Sequence, residues 1–230
     1  MKHLCLLIIL ISFSAQADDF FKAEYGEQPD HLTPMDYPPD AYDQKIIEHL
    51  FLTSGRLGRF ISRPSFGVES CVSVYEKFPE ASEGHENTPI QNGDRTFFIT
   101  TTQAVESIWH AMRHDNKENH ENSITVTRTD REISLSLATA IQRAWGRMLQ
   151  HTKYPAKVSL GMDGTTYQFS VWAQGFGDLN GETWSPDKGL TAEMVEIGKA
   201  LADFSGYKMA TEEMLITRLK EFESKIPQIK

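Results

Sequence analysis

Cysteine is nearly absent from this chain: of 230 residues only Cys5 and Cys71 are cysteines. Cys5 sits inside a stretch that reads as a removable leader, which leaves one thiol and excludes an intramolecular disulfide framework. The fold must then rest on an ordinary apolar core, and a chain of this size can bury one. Cys71 alternates with Val72 and Val74 in a strand-like run, so the expectation is a buried, inert thiol. Long apolar runs are also missing. The longest, Leu4 to Phe13, is about half the roughly 20 residues a membrane-spanning helix needs, so no integral membrane segment is expected once the leader is gone.

Basic residues are in deficit, with 23 Lys and Arg against 32 Asp and Glu and a formal net charge of −9. A nucleic acid or an anionic membrane surface demands a basic patch to neutralise phosphate, so neither is an expected partner. A cationic protein partner stays open. The usual short signatures of catalysis and cofactor binding are absent as well. There is no G-x-S-x-G elbow, no P-loop, no G-x-G-x-x-G, no C-x-x-C and no H-E-x-x-H, and no cofactor is expected.

What is present begins with MKHLCLLIILISFSAQA: a basic start at Lys2, an apolar run, and Ala15-Gln16-Ala17 as a small-x-small cleavage signal. Residues 1–17 are expected to be a secretory signal peptide, placing the mature chain in the periplasm or outside the cell. Residues 18–42 hold Pro29, Pro34, Pro38 and Pro39 among polar residues and read as an extended lead-in, because proline at that density prevents helix. Residues 43–230 contain no linker and no repeat, and read as one domain.

Within that domain a short helix is expected over 43–52, a strand over 68–78, a returning strand at 96–100, a short helix over 105–112 and a further strand over 123–128. Long polar stretches, 79–95 and 114–122, separate them. Asp130 is expected to cap the longest helix, whose apolar stripe is Ile133, Leu137, Ile141, Ala144, Trp145, Met148 and Leu149. Thr191 is expected to cap a helix lined by Met194, Ile197, Leu201 and Phe204. Thr211 is expected to cap a last one lined by Leu215, Leu219, Phe222 and Ile226.

The centre of the expected architecture is PAKVSLGMDGTTYQFSV. Asp163-Gly164 fits a two-residue type I′ turn, which would face Leu160 to Tyr167 and Val158 to Phe169 and give the hairpin one apolar and one polar side. Together these elements predict an α+β fold, a single domain with an antiparallel sheet covered on one face by helices. The letters DG-T-T-Y-x-F, then G-E-T-W-S-P and a capped helix with L-x-x-F, resemble a family of uncharacterised secreted bacterial proteins. The resemblance spans roughly residues 155–205. It implies bacterial export and carries over no activity and no functional residue.

Three groups of residues are candidates for chemistry. Arg56, Arg59 and Arg63 are the one basic cluster in an acidic chain, able either to hold a carboxylate or phosphate or to pair with internal acids. Trp172, Phe176 and Trp184 surround a glycine-rich segment and could form an aromatic platform for a sugar or peptide, or a packed sheet end. His110 and His114 lie four apart on a short helix with His120 beyond, a spacing at which two imidazoles can share a metal, although Ala111 stands where the zinc-hydrolase pattern wants a glutamate. In DLNGE, Asp178, Asn180 and Glu182 match a fragment of a calcium loop or, more simply, a glycine-rich turn. The function these features favour is a non-enzymatic exported binding module, such as an inhibitor or immunity-type protein for a protein partner. The alternatives are a metal-dependent or sugar-active hydrolase and a structural envelope protein.

Overall fold

Six strands form one antiparallel sheet: β1 (Gly58–Pro64), β2 (Ser70–Lys77), β3 (Thr96–Ala104), β4 (Val126–Ile133), β5 (Thr165–Ala173) and β6 (Gly177–Trp184), in the spatial order β4-β3-β2-β1-β5-β6. The structure is a computed structural model that describes residues 30–35, 38–51, 54–77, 95–114, 124–156, 163–207 and 211–228. Asp30–Lys153 with Asp163–Lys230 make one compact unit, which holds the whole sheet. Met1–Pro29 with Tyr154–Met162 make a second, described only at 154–156, where Tyr154 is exposed. The leader, the first part of the lead-in, most of both long polar stretches and residues 157–162 lie outside the described residues.

Side chains alternate across a strand, so each strand serves two faces. On one, Phe60, Val72, Val74, Ile99, Ile133, Tyr167, Phe169 and Val171 are all buried in the main core. The helices α3 (Leu135–Leu149), α4 (Gly189–Ser205) and α5 (Glu212–Lys225) pack their apolar stripes into that same core. Trp145 stands edge-on to Phe169 at 5.6 Å and is 1% exposed. Each such large side chain contributes about 1.5–3 kcal/mol when buried, which makes this face the main source of stability. The α+β class, with one antiparallel sheet under helices, is thus what the pattern of the sequence implies.

The opposite face carries a second, smaller cluster: Ile61, Cys71 and Ala104 of the sheet meet Ile46 and Leu50 of α1 (Ala41–Leu50) and Ile108 of α2 (Ile108–His114). Cys71 is buried as expected, but on this face, away from Val72 and Val74. Burial pushes its thiol pKa up, which keeps it protonated and inert. Among the described residues the other half of this face, along β5 and β6, carries no second helix core, and the site described below lies on it.

Several boundaries differ from the expected ones. β4 continues through Asp130 to Ile133, and α3 is capped at Ser134, whose hydroxyl accepts from the Leu137 N–H at 3.2 Å. Ile133 satisfies a strand pairing with Phe97 and a helical stripe equally well, which is why the sequence pattern runs past the junction. Asp130 instead accepts from the Arg128 guanidinium and from the Thr100 hydroxyl. α4 begins before Thr191, and its first N–H groups, those of Leu190 and Thr191, donate to the carboxylate of Asp30, 160 residues earlier. Leu32 is fully buried in the main core, and Thr33 exchanges two 2.8 Å backbone hydrogen bonds with Glu182. The lead-in from Asp30 onward is therefore part of the domain.

The hairpin expected around Asp163-Gly164 is corrected. Its first strand falls outside the described residues, but both edges of its second strand, β5, are taken by β1 and β6. The hairpin that β5 does form is with β6, across a loop closed by the Phe176 N–H donating to the Ala173 carbonyl, with Gly175 at φ +85°. Gly164 has no positive φ and makes no type I′ turn. It is small because Trp184 lies on it: a Cβ there would come within 2.6 Å of the indole. Ser185 locks the same corner, its N–H donating to the Thr165 carbonyl and its hydroxyl accepting from the Thr165 N–H. The face assignment survives the change of partner, with Tyr167 at 9% and Phe169 at 1% exposure.

Candidate functional site

On the half-covered face, β1 presents Arg59, Ile61 and Arg63, β5 presents Thr166, Gln168, Ser170 and Trp172, and β6 presents Asp178, Asn180, Glu182 and Trp184, because these are the alternate positions in register. The segment DLNGE is thus strand and not a turn or calcium loop: its three polar side chains follow one another along one face. Gly181 lies between them on the core side, where a Cβ would meet Leu149, Leu32 and Thr152. Glycines are what make a strand read as a loop, and the period-two spacing of Asp178, Asn180 and Glu182 is the signal that would have shown it.

Two adjoining cavities lie along these strands. The first, of about 450 Å³, opens between α1 and the sheet and is lined by Asp40, Asp43, Phe51, Arg63, Gln168 and Glu182 among others. Arg63 pairs with Asp43 at 2.6 Å and lies over the Tyr42 ring at 4.6 Å, while the Gln168 amide donates to Glu182 at 3.1 Å. Asp40 and Asp43 form a capping box that starts α1 and fixes both carboxylates at the rim. The second cavity, of about 540 Å³, lies at the other end of the same strands and is lined by Arg56, Arg59, Ser170, Trp172, Asp178 and Asn180 among others.

The second cavity owes its shape to its arginines. Arg56 lies over Trp172 at 5.0 Å, and its carbonyl accepts from the Trp172 N–H at 2.9 Å. Arg59 lies over Phe51 at 3.8 Å and donates to the Ser73 hydroxyl at 3.2 Å. Its guanidinium also rests against Gly55, where a Cβ would fall 2.6 Å away and where φ is +56°, so only glycine fits. Burial holds the Arg59 pKa below the ordinary guanidinium value, the cost of placing a cation in a partly dry site. Each of the three arginines of the basic cluster therefore lies on an aromatic face, and one also holds an acid.

No family model, curated protein or solved structure matches this chain.

Of the other candidates, Trp172 and Trp184 stand at opposite ends of the β5–β6 pair, six residues apart along the ladder and thus roughly 20 Å apart. They do not form one platform. Trp172 belongs to the second cavity, Trp184 packs on Gly164, and Phe176 is 62% exposed at the tip of the β5–β6 loop. His110 is exposed on α2. The side chain of His114 and the whole of His120 lie outside the described residues. Among the described residues no three of His, Cys, Asp and Glu gather as a metal ion requires. No helix among them is long and apolar enough to cross a membrane. Gln168 and Ser170 are groove residues that the sequence did not single out as a site, and Asn180 stood out only as part of a calcium-loop or turn fragment, since their common face exists only once β5 and β6 are neighbours.

Proposed function

We propose that the protein is an exported, non-enzymatic binding module that engages a protein partner through the β1–β5–β6 face, in the manner of an inhibitor or immunity protein. The observation that carries the reading is the pair of adjoining cavities on that face. Their arginines are already held by aromatic rings and neighbouring polar groups, and such preorganisation is what limits the entropic cost of binding. Large aromatic and arginine side chains of this kind are also the residue types that anchor protein interfaces. The leader-like first residues supply the export half of the proposal.

The test joins both halves. Expressed with residues 1–17 in a bacterium, the chain is expected in the periplasm, beginning near Asp18, and a tagged form is expected to retain a stoichiometric protein partner. Asn180→Trp, which fills the second cavity from an exposed strand position, is expected to lower that retention by about tenfold or more, the scale of one lost anchor. Recovery of the full-length chain in the cytoplasm contradicts export. A partner held equally well by the Asn180→Trp variant, or no partner at all, contradicts the binding surface.

A further inference from the structure

The two cavities carry opposite surpluses of charge. Among the described residues the first brings three carboxylates, Asp40, Asp43 and Glu182, to one guanidinium, that of Arg63; Asp43 holds that guanidinium and Glu182 accepts from Gln168. Among the described residues the second brings two guanidiniums, Arg56 and Arg59, to one carboxylate, that of Asp178. The same three strands run through both, so the two cavities follow one another along the strand direction: Arg63 to Arg59 on β1, Gln168 to Ser170 on β5, Glu182 to Asn180 on β6. Phe51 is the divider, lining the first cavity while its ring lies under the Arg59 guanidinium of the second. One same-face step along a strand is roughly 7 Å and two are roughly 13 Å, which sets the distance between the acidic and basic ends.

The geometry points to a bipolar groove whose occupant is an extended peptide segment with a cation at one end and a carboxylate at the other, the cation against Asp40 and Glu182 and the carboxylate between Arg56 and Arg59. This inference rests on the binding-module reading and specifies its ligand. An extended chain rises about 3.4 Å per residue, so the charges that fit are those of a free tripeptide or of oppositely charged side chains a few residues apart. Between the charged ends, the Gln168 amide, the Ser170 hydroxyl and the Asn180 amide lie along β5 and β6, where a peptide backbone needs donors and acceptors. A ligand of single charge gains at one end and is repelled at the other. The groove therefore selects for the pair of charges, not for net charge, and this is how a strongly acidic protein can hold a carboxylate.

Trialanine in four forms tests this: with free termini, N-acetylated, C-amidated, and blocked at both ends, each titrated into the exported chain with calorimetry and backbone NMR shifts as readouts. The peptide with both termini free is expected to bind about tenfold more tightly than either singly blocked form, shifting β5 and β6 amides. Glu182→Gln is expected to abolish the preference for the free amine and to keep that for the free carboxylate. Arg56→Glu is expected to do the reverse, and Arg56→Ala to give the same change if the charge reversal unfolds the chain, which its thermal transition reveals. Four peptides bound alike, or none bound at millimolar concentration, overturn the bipolar groove. If the stoichiometric partner is still captured in that case, and is lost with Asn180→Trp, the binding-module reading stands while the peptide assignment falls.

Discussion

Glu69 is completely buried, and its carboxylate is saturated: it accepts from the Tyr42 hydroxyl at 2.7 Å, the Ser107 hydroxyl at 3.3 Å, and the backbone N–H groups of Ile108 at 2.8 Å and Trp109 at 3.1 Å. Those N–H groups are orphan donors at the start of α2, so the side chain of the residue just before β2 caps that helix and ties it to α1. Removing it in Glu69→Ala leaves several buried groups unpaired and is expected to cost about 3 kcal/mol by denaturant unfolding, with Glu69→Gln intermediate. The same contact holds Tyr42 above its ordinary phenol value, burial first and the Glu69 hydrogen bond second. Because the folded value is raised, neutral Tyr42 contributes stability that is fully present below about pH 10 and is lost as pH rises past it. Ultraviolet titration should then show Tyr42 ionising at higher pH in the parent chain than in Glu69→Ala. A variant that is neither destabilised nor shifted in that titration would remove Glu69 from this role.

At the scale of elements, what was legible in the sequence is what is local. The stripes of α3, α4 and α5, the Thr211 cap and the inward side of β5 all follow from spacing, and each is observed. Which strand lies beside β5 is not a local property. Asp163-Gly164 carries good turn chemistry, but β1 and β6 fill both edges of β5, and Gly164 is needed for the closeness of Trp184. The cap of α4 shows the same limit, since no reading of the helix alone could find a carboxylate at Asp30. The groove was half legible for this reason: its arginines stand out in an acidic chain, while Ser170 and Asn180 become groove residues only through the β5–β6 pairing. Asp30 also gives a prediction of its own. Asp30→Ala is expected to cost about 1 kcal/mol, the usual value of an N-cap, and to speed hydrogen exchange at Leu190 and Thr191. Asp30→Asn, which keeps an oxygen acceptor, should recover most of it, and equal losses for the two variants would mean that the cap hydrogen bonds are not the cause.

Among the described residues the two faces of the sheet are packed unequally, and the proposed binding surface lies on the more thinly packed one. One face is sealed by three helices over a core that includes Trp145, Phe169, Phe204 and Phe222; the other is held by the small cluster around Ile61, Cys71 and Ile108 and by Glu69. Local opening costs roughly what the opened part buries, so α1 and α2 should open at a free energy well below global unfolding, whereas α3 and the β2–β3 pair should open only with the whole domain. Native-state hydrogen exchange in low denaturant is expected to show this order, with α1 amides exchanging at a lower free energy than those of α3. Asp40 and Phe51, at the two ends of α1, line the first cavity, so a ligand in the groove that engages them stabilises the closed form and raises protection in α1 more than in α3. Uniform exchange free energies across the sheet would show that the two faces unfold together. Protection rising in α3 and not in α1 on addition of the free tripeptide would place the ligand elsewhere.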